Sequence, residues 1–156
     1  MYSKQEASLL TQQFWTSFGQ YLAPVFSAEG EKINWVNYKT GRKDIRFIMI
    51  ADSKEVTISI VLSHKDLPLQ QRYFEKFTQL KKIFHQFTGE EWQWQLHSSS
   101  LDGKIISTIS TSLQQVNILN KDDWPAIISF LKPRLISLDE FWCEYKFVFE
   151  GVDLNE

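Results

Sequence analysis

One cysteine, Cys143, stands in 156 residues, so no intramolecular disulfide can staple this chain. The three histidines, His64, His85 and His97, are far apart in sequence and offer no zinc-ligand spacing. The 6 glycines stand singly, not at the fixed offsets of a phosphate-cradling loop, and no nucleophile elbow is present. With only 4 prolines beside them, they leave little room for long irregular segments. No apolar run approaches the ~20 residues that cross a bilayer. Ser3 to Glu6 is polar, unlike the basic-then-apolar start of a signal peptide. Charge is nearly balanced, 17 basic against 19 acidic side chains, which argues against a dedicated, strongly basic nucleic-acid binder. The expected setting is a reducing cytoplasm, with no metal, no cofactor and no membrane contact.

What the chain does have is aromatic rings. Phe, Trp and Tyr make up 15% of it, and such rings dominate core and interface energetics. Near the end, Trp124, Ile128, Leu131, Leu135, Leu138, Trp142, Tyr145 and Phe149 recur at spacings of four and three, the signature of one helix face. Ile127, Phe141 and Val148 widen the stripe on one flank, while Lys132, Asp139 and Lys146 keep the other polar. A coiled-coil seam would be narrower, so the pattern predicts a core helix laid on a sheet rather than a zipper. Both Trp124 and Trp142 are expected to be largely buried, and Pro133 should kink the helix.

Ser3 and Glu6 fit a capping box ahead of Leu10, Phe14, Phe18 and Leu22, a first amphipathic helix closed near Pro24. Val25 to Lys32 follows as a loop. Strands are expected at Ile33 to Tyr38, Asp44 to Ala51 and Glu55 to Leu62. The second is apolar at most positions and therefore central, covered on both faces. A second helix should run from about Pro68 to Thr88, with Gly89 ending it. Trp92, Trp94 and Leu96 alternate with polar residues as a half-buried strand. Leu101-Asp102-Gly103 turns it onto Ile105 to Leu113, whose interleaved Ser and Thr suggest a solvated outer face. Residues 1–156 thus form a single α+β domain, order α-β-β-β-α-β-β-α. Its mainly antiparallel sheet of about five strands is packed by three amphipathic helices.

Catalytic patterns are thin. A restriction-type nuclease needs an acid-x-Lys pair on a strand, but Asp102-Gly103-Lys104 lies in a turn and Glu144-Tyr145-Lys146 on a helix. Glu90, Glu91 and His97 flank one strand without a diagnostic spacing. Cys143, beside Trp142, reads as a structural thiol. The turn bearing Lys39, Arg42 and Lys43, with Arg46 following, is the best candidate for nucleic-acid contact, basic side chains meeting phosphates near Trp35 and Tyr38. Against it stands an ordinary solvated hairpin tip.

Phe14-Trp15, Trp35 ahead of Gly41, the helix through Lys81 to Gly89, Trp92-Gln93-Trp94, and Asp123-Trp124 before the long aromatic helix together resemble an uncharacterised bacterial and archaeal domain-of-unknown-function family. The resemblance spans nearly the whole chain and rests on aromatic, structural motifs. It implies a domain found alone or as a carboxy-terminal companion to a nuclease-like module, and it supplies no catalytic residues. The first helix is expected to begin at Ser3, so no role of such a module carries over. The expected function is a soluble, non-enzymatic binding or assembly module that forms a homodimer or takes a protein partner. Its contact surface is expected around Phe130, Phe141, Phe147 and Val148. The alternative is a nucleic-acid-binding accessory domain beside a separate nuclease of restriction or defence type.

Overall fold

The computed structural model describes residues 2–152. Its elements are α1 (Lys4–Leu22), β1 (Ile45–Ala51), β2 (Glu55–Leu62), α2 (Leu67–Gln79), α3 (Lys81–Thr88), β3 (Gln93–Ser99), β4 (Ile105–Gln114) and α4 (Trp124–Tyr145). Short 3-10 turns at Lys121–Asp123 and Lys146–Phe149 flank α4. The sheet is wholly antiparallel, in the order β1-β2-β4-β3. The class is α+β, with four strands rather than five and four helices rather than three.

One face of the sheet makes the core. Ile45, Phe47, Val56, Ile58, Ile60, Leu62 and Ile109 point into it and are at most 7% exposed. They meet Phe14, Phe18 and Leu22 of α1, Tyr73 and Phe77 of α2, Phe84 of α3, and Leu131, Leu135, Leu138 and Trp142 of α4. The period-2 residues on the other face, among them Arg46, Thr57, Ser59, Ser110 and Ser112, are half-buried or exposed. Thr57 and Ser112 share a hydroxyl–hydroxyl bond there at 2.8 Å. The α4 stripe closes inward within one chain, as a core helix does.

Three local devices set the element ends. The capping box forms, Glu6 N–H donating to Ser3 Oγ and Ser3 N–H to Glu6 Oε1. Gly89 takes the left-handed conformation (φ 72°) that ends α3 without a Cβ penalty. Gln70, fully buried on α2, donates to the carbonyls of His64 and Ile105 and accepts from Ser107 Oγ at 2.6 Å, so the helix is bolted to the sheet by a satisfied polar side chain.

Four expectations need correction. Ile33 to Tyr38 is not a strand: Asn34 Oδ1 accepts from Asn37 N–H, a local turn that competes with ladder pairing. With that strand gone, residues 23–44 form a long irregular connection despite the scarcity of glycine and proline. Consequently β1 is an edge strand, and Ile50 on its outer face is 62% exposed. The helix expected over 68–88 breaks at Leu80 (φ -96°, ψ 9°), where the Leu80 N–H turns back to Phe77 O and Thr78 Oγ1 bonds Phe74 O. The break turns α3 onto α4. Trp124 is only half-buried, edge-on to Phe14, its indole N–H on Ile118 O. Pro133 lies inside α4, and both it and Ser129, whose carbonyl loses a donor, face solvent.

Candidate functional site

Irregular connections as long as 23–44 are uncommon in compact domains and are usually functional, which directs attention to where this one lies. It runs along α4. Lys132, Asp139 and Lys146 are spaced seven residues apart, two helical turns or about 10.5 Å; Lys132 meets the last turn of α1, and Asp139 and Lys146 receive the connection that follows it. The Lys132 ammonium sits 4.7 Å from the centroid of the Tyr21 ring. Asp139 Oδ2 accepts from Ala28 N–H at 2.7 Å. Lys146 pairs with Glu29 at 3.2 Å. The polar flank of α4 is therefore a docking seam.

Asp139 is its centre. The carboxylate is 1% exposed and has no ion-pair partner among the described residues; its other oxygen accepts from Tyr38 Oη at 2.6 Å and from the Cys143 thiol at 3.4 Å. A charge so buried persists only when hydrogen bonds replace its water, and two loop donors and one helix donor do that here. The same contacts act on the donors. Burial, then the bond to Asp139, holds the Tyr38 phenol well above its ordinary 10.0. Burial and the Asp139 charge push the Cys143 thiol up from 9.0 to about 12. Cys143 is thus held as a thiol, a poor nucleophile.

Two indoles fasten the loop further. Trp35 Nε1 donates to Val25 O at 2.9 Å, and Trp142 Nε1 to Thr40 O at 2.8 Å. Ser27 and Glu31 close a tight turn in which Gly30 has φ 79°, a conformation a side chain would strain. Between the loop and α4 remains a cleft of about 390 Å³ lined by Asp139, Tyr38, Cys143, Lys39, Asn34 and Asn37, among others. Among the described residues, no group of three or more His, Cys, Asp or Glu side chains is placed to hold a metal ion.

The loop also sets what is left outside. Phe26 and Phe147 are each 60% exposed and Tyr21 is 54% exposed. Tyr21 is anchored beside Lys132, Phe26 is three residues before Glu29 on the docked loop, and Phe147 directly follows Lys146.

Of the interface residues read from the sequence, only Phe147 is at the surface. Phe130 is 7% exposed beneath the Arg134 guanidinium, 4.0 Å from its ring, and Phe141 is 0% exposed among Phe77, Phe84 and Phe87. Val148 is half-buried against the core. The α3 turn covers the flank that a continuous helix would have left open. The basic residues diverge: Lys39 lines the cleft, Arg42 reaches Tyr73 Oη at 3.4 Å, Lys43 is exposed, and Arg46 lies opposite Val61 on the outer sheet face. Glu90 is held by Arg134 through both oxygens at 2.8 Å, and His97 is a bulge residue (φ 52°) whose ring meets Leu67 O, so they form no acid–base pair.

Asp139 and Phe26 were missed. Asp139 carried a signal, since it is four residues after Leu135 and three before Trp142, on the buried stripe itself. Phe26 sits in a stretch with no periodicity to assign it to either side.

No helix among the described residues is long and apolar enough to cross a membrane. Residues 10–146 match the family described as Domain of unknown function (DUF4268), and the chain belongs to that family. No curated protein and no solved structure matches it.

Proposed function

We propose that this chain is a non-enzymatic cytoplasmic binding module that self-associates, and that the contact surface is the outer side of the loop–α4 seam. The observation that carries this is the exposure of Phe26, on a loop fixed in place by a buried carboxylate, and of Phe147, next to the Lys146 that pairs with the same loop at Glu29. An aromatic ring buries about 150–250 Å² when covered. Three rings this exposed from each of two copies would supply on the order of 700 Å², a large part of the roughly 1,200–2,000 Å² of a standard interface. The seam also carries both signs, with Lys132 at one end and the exposed Lys146–Glu29 pair at the other, as a two-fold interface that must complement itself requires. The loop is already ordered by its internal bonds, which lowers the entropy lost on association.

Light scattering on the wild type and on a Phe26→Glu/Phe147→Glu variant tests the proposal. A dimer at tens of micromolar that becomes a folded monomer in the variant supports it. A wild-type monomer at that concentration removes self-association, and a variant that remains dimeric removes this surface.

A further inference from the structure

A second concavity lies away from the seam, between α3 and the start of β3, with a volume of about 920 Å³. Pockets of roughly 300–1,000 Å³ are the usual size for small-molecule and cofactor sites. Its wall is aromatic. Trp94 is half-buried, held edge-on by Phe74 and Phe84 at centroid distances of 6.0 and 5.8 Å. The Lys81 ammonium rests over the indole, 5.1 Å from its centroid. The rim is cationic: Lys81 and Lys82 open α3, His85 follows one turn on, and all three are exposed. Neither lysine has a carboxylate within ion-pair distance among the described residues. Two acids also line the groove. Glu90 is committed to Arg134 and to the Trp92 indole N–H, whereas Glu91 is exposed.

A flat π surface beside two unpaired ammonium groups is complementary to a ligand that joins an aromatic ring to an anion. We infer that this groove binds a nucleoside phosphate. The base stacks on Trp94, displacing the Lys81 ammonium from the ring, and Lys81 and Lys82 take the phosphate. The side-chain amides of Gln79 and Gln86, which also line the groove, are the donors and acceptors available to the base edge. The phosphate can belong to a free nucleotide or to a single strand of nucleic acid. The site is independent of self-association, since it shares no residue with Tyr21, Phe26 or Phe147.

Anisotropy of a fluorescent octathymidylate, with unlabelled AMP as competitor, tests the inference at low salt on the full chain. Lys81→Glu/Lys82→Glu alters only exposed side chains and is expected to weaken binding at least about tenfold. For the oligonucleotide it should also flatten the slope of log affinity against log salt, by about 0.7 where the two lysines share one phosphate and about 1.4 where they neutralise two neighbouring ones. Trp94→Leu, its fold checked by melting, should lose roughly tenfold through stacking alone. Displacement by AMP assigns the site to free nucleotides, and binding of the oligonucleotide without competition assigns it to a strand; both support the inference. Binding of neither probe, or an affinity indifferent to the lysine substitutions, overturns it. Retention of binding by Phe26→Glu/Phe147→Glu keeps this result separate from the fate of the dimer.

Discussion

Replacing Asp139 by Ala isolates the contact on which the loop depends. The carboxylate accepts from Tyr38 Oη at 2.6 Å and Ala28 N–H at 2.7 Å, bonds that join it to residues 101 and 111 positions away. A hydrogen bond to a charged group contributes about 1.5–3 kcal/mol, so the pair is worth roughly 3–6 kcal/mol before offsets. Two offsets apply. Removing a buried carboxylate relieves its desolvation, and Ala28 is an exposed residue whose bond to Asp139 is only partly buried. A net loss of about 2–4 kcal/mol is expected, a large fraction of the 5–15 kcal/mol typical of a domain. Urea unfolding measures it, and Tyr38→Phe closes a double-mutant cycle whose coupling should reach about 1–2 kcal/mol. A loss below about 0.5 kcal/mol, with no coupling to Tyr38, would refute the claim that Asp139 holds the loop.

Trp142→Ala should cost about 3–5 kcal/mol in a denaturant titration, independent of protein concentration, because the indole is 2% exposed and packs on Phe47, Phe77 and Phe149. A concentration-dependent loss would instead place this helix in an intermolecular zipper. Stability should fall with alkali, since Cys143 and Tyr38 both have folded-state pKa values raised above their unfolded ones. Their contributions are complete below pH 9.0 and 10.0 and are lost above, for Cys143 over the window up to about 12. Cys143→Ala and Tyr38→Phe should each flatten the pH dependence of unfolding, and an unchanged slope in both would contradict the burial of these groups. Gln70→Leu should destabilise by about 1–3 kcal/mol by removing the acceptor of the buried Ser107 hydroxyl and the donor to the His64 and Ile105 carbonyls, a thermal melt giving the size.

What the sequence discloses is local. The capping box at Ser3 and Glu6, Gly89 at the end of α3, the β3–β4 hairpin and the apolar stripe of α4 are all legible, because each is specified by neighbours a few positions apart. The errors are non-local. The apolar residues on both sides of β1 suggested a central strand, yet Ile48 and Ile50 occupy the outer face of an edge strand. Phe130 and Phe141 read as surface, because nothing near Leu80 announces that Phe84 and Phe87 of α3 turn onto Phe141, and Phe130 is covered by the Arg134 guanidinium one turn on. Asp139 reads only as part of a polar flank, because its burial is decided by Ala28, 111 residues earlier. The scarcity of glycine and proline argues against a long loop, but beside Pro24, Gly30 and Gly41 the side-chain bonds of Asn34, Trp35, Tyr38 and Thr40 hold one.

The central claim, that a fixed loop presents the self-association surface, is tested most directly by amide hydrogen exchange resolved by residue, in dilute and in concentrated protein. The Ala28 amide, bonded to Asp139, should be protected at both concentrations, whereas the amides around Phe26 and Phe147 should gain protection only in concentrated protein. Exchange of residues 23–44 at the rate of an unfolded chain, or protection around Phe26 and Phe147 that does not change with concentration, would contradict it.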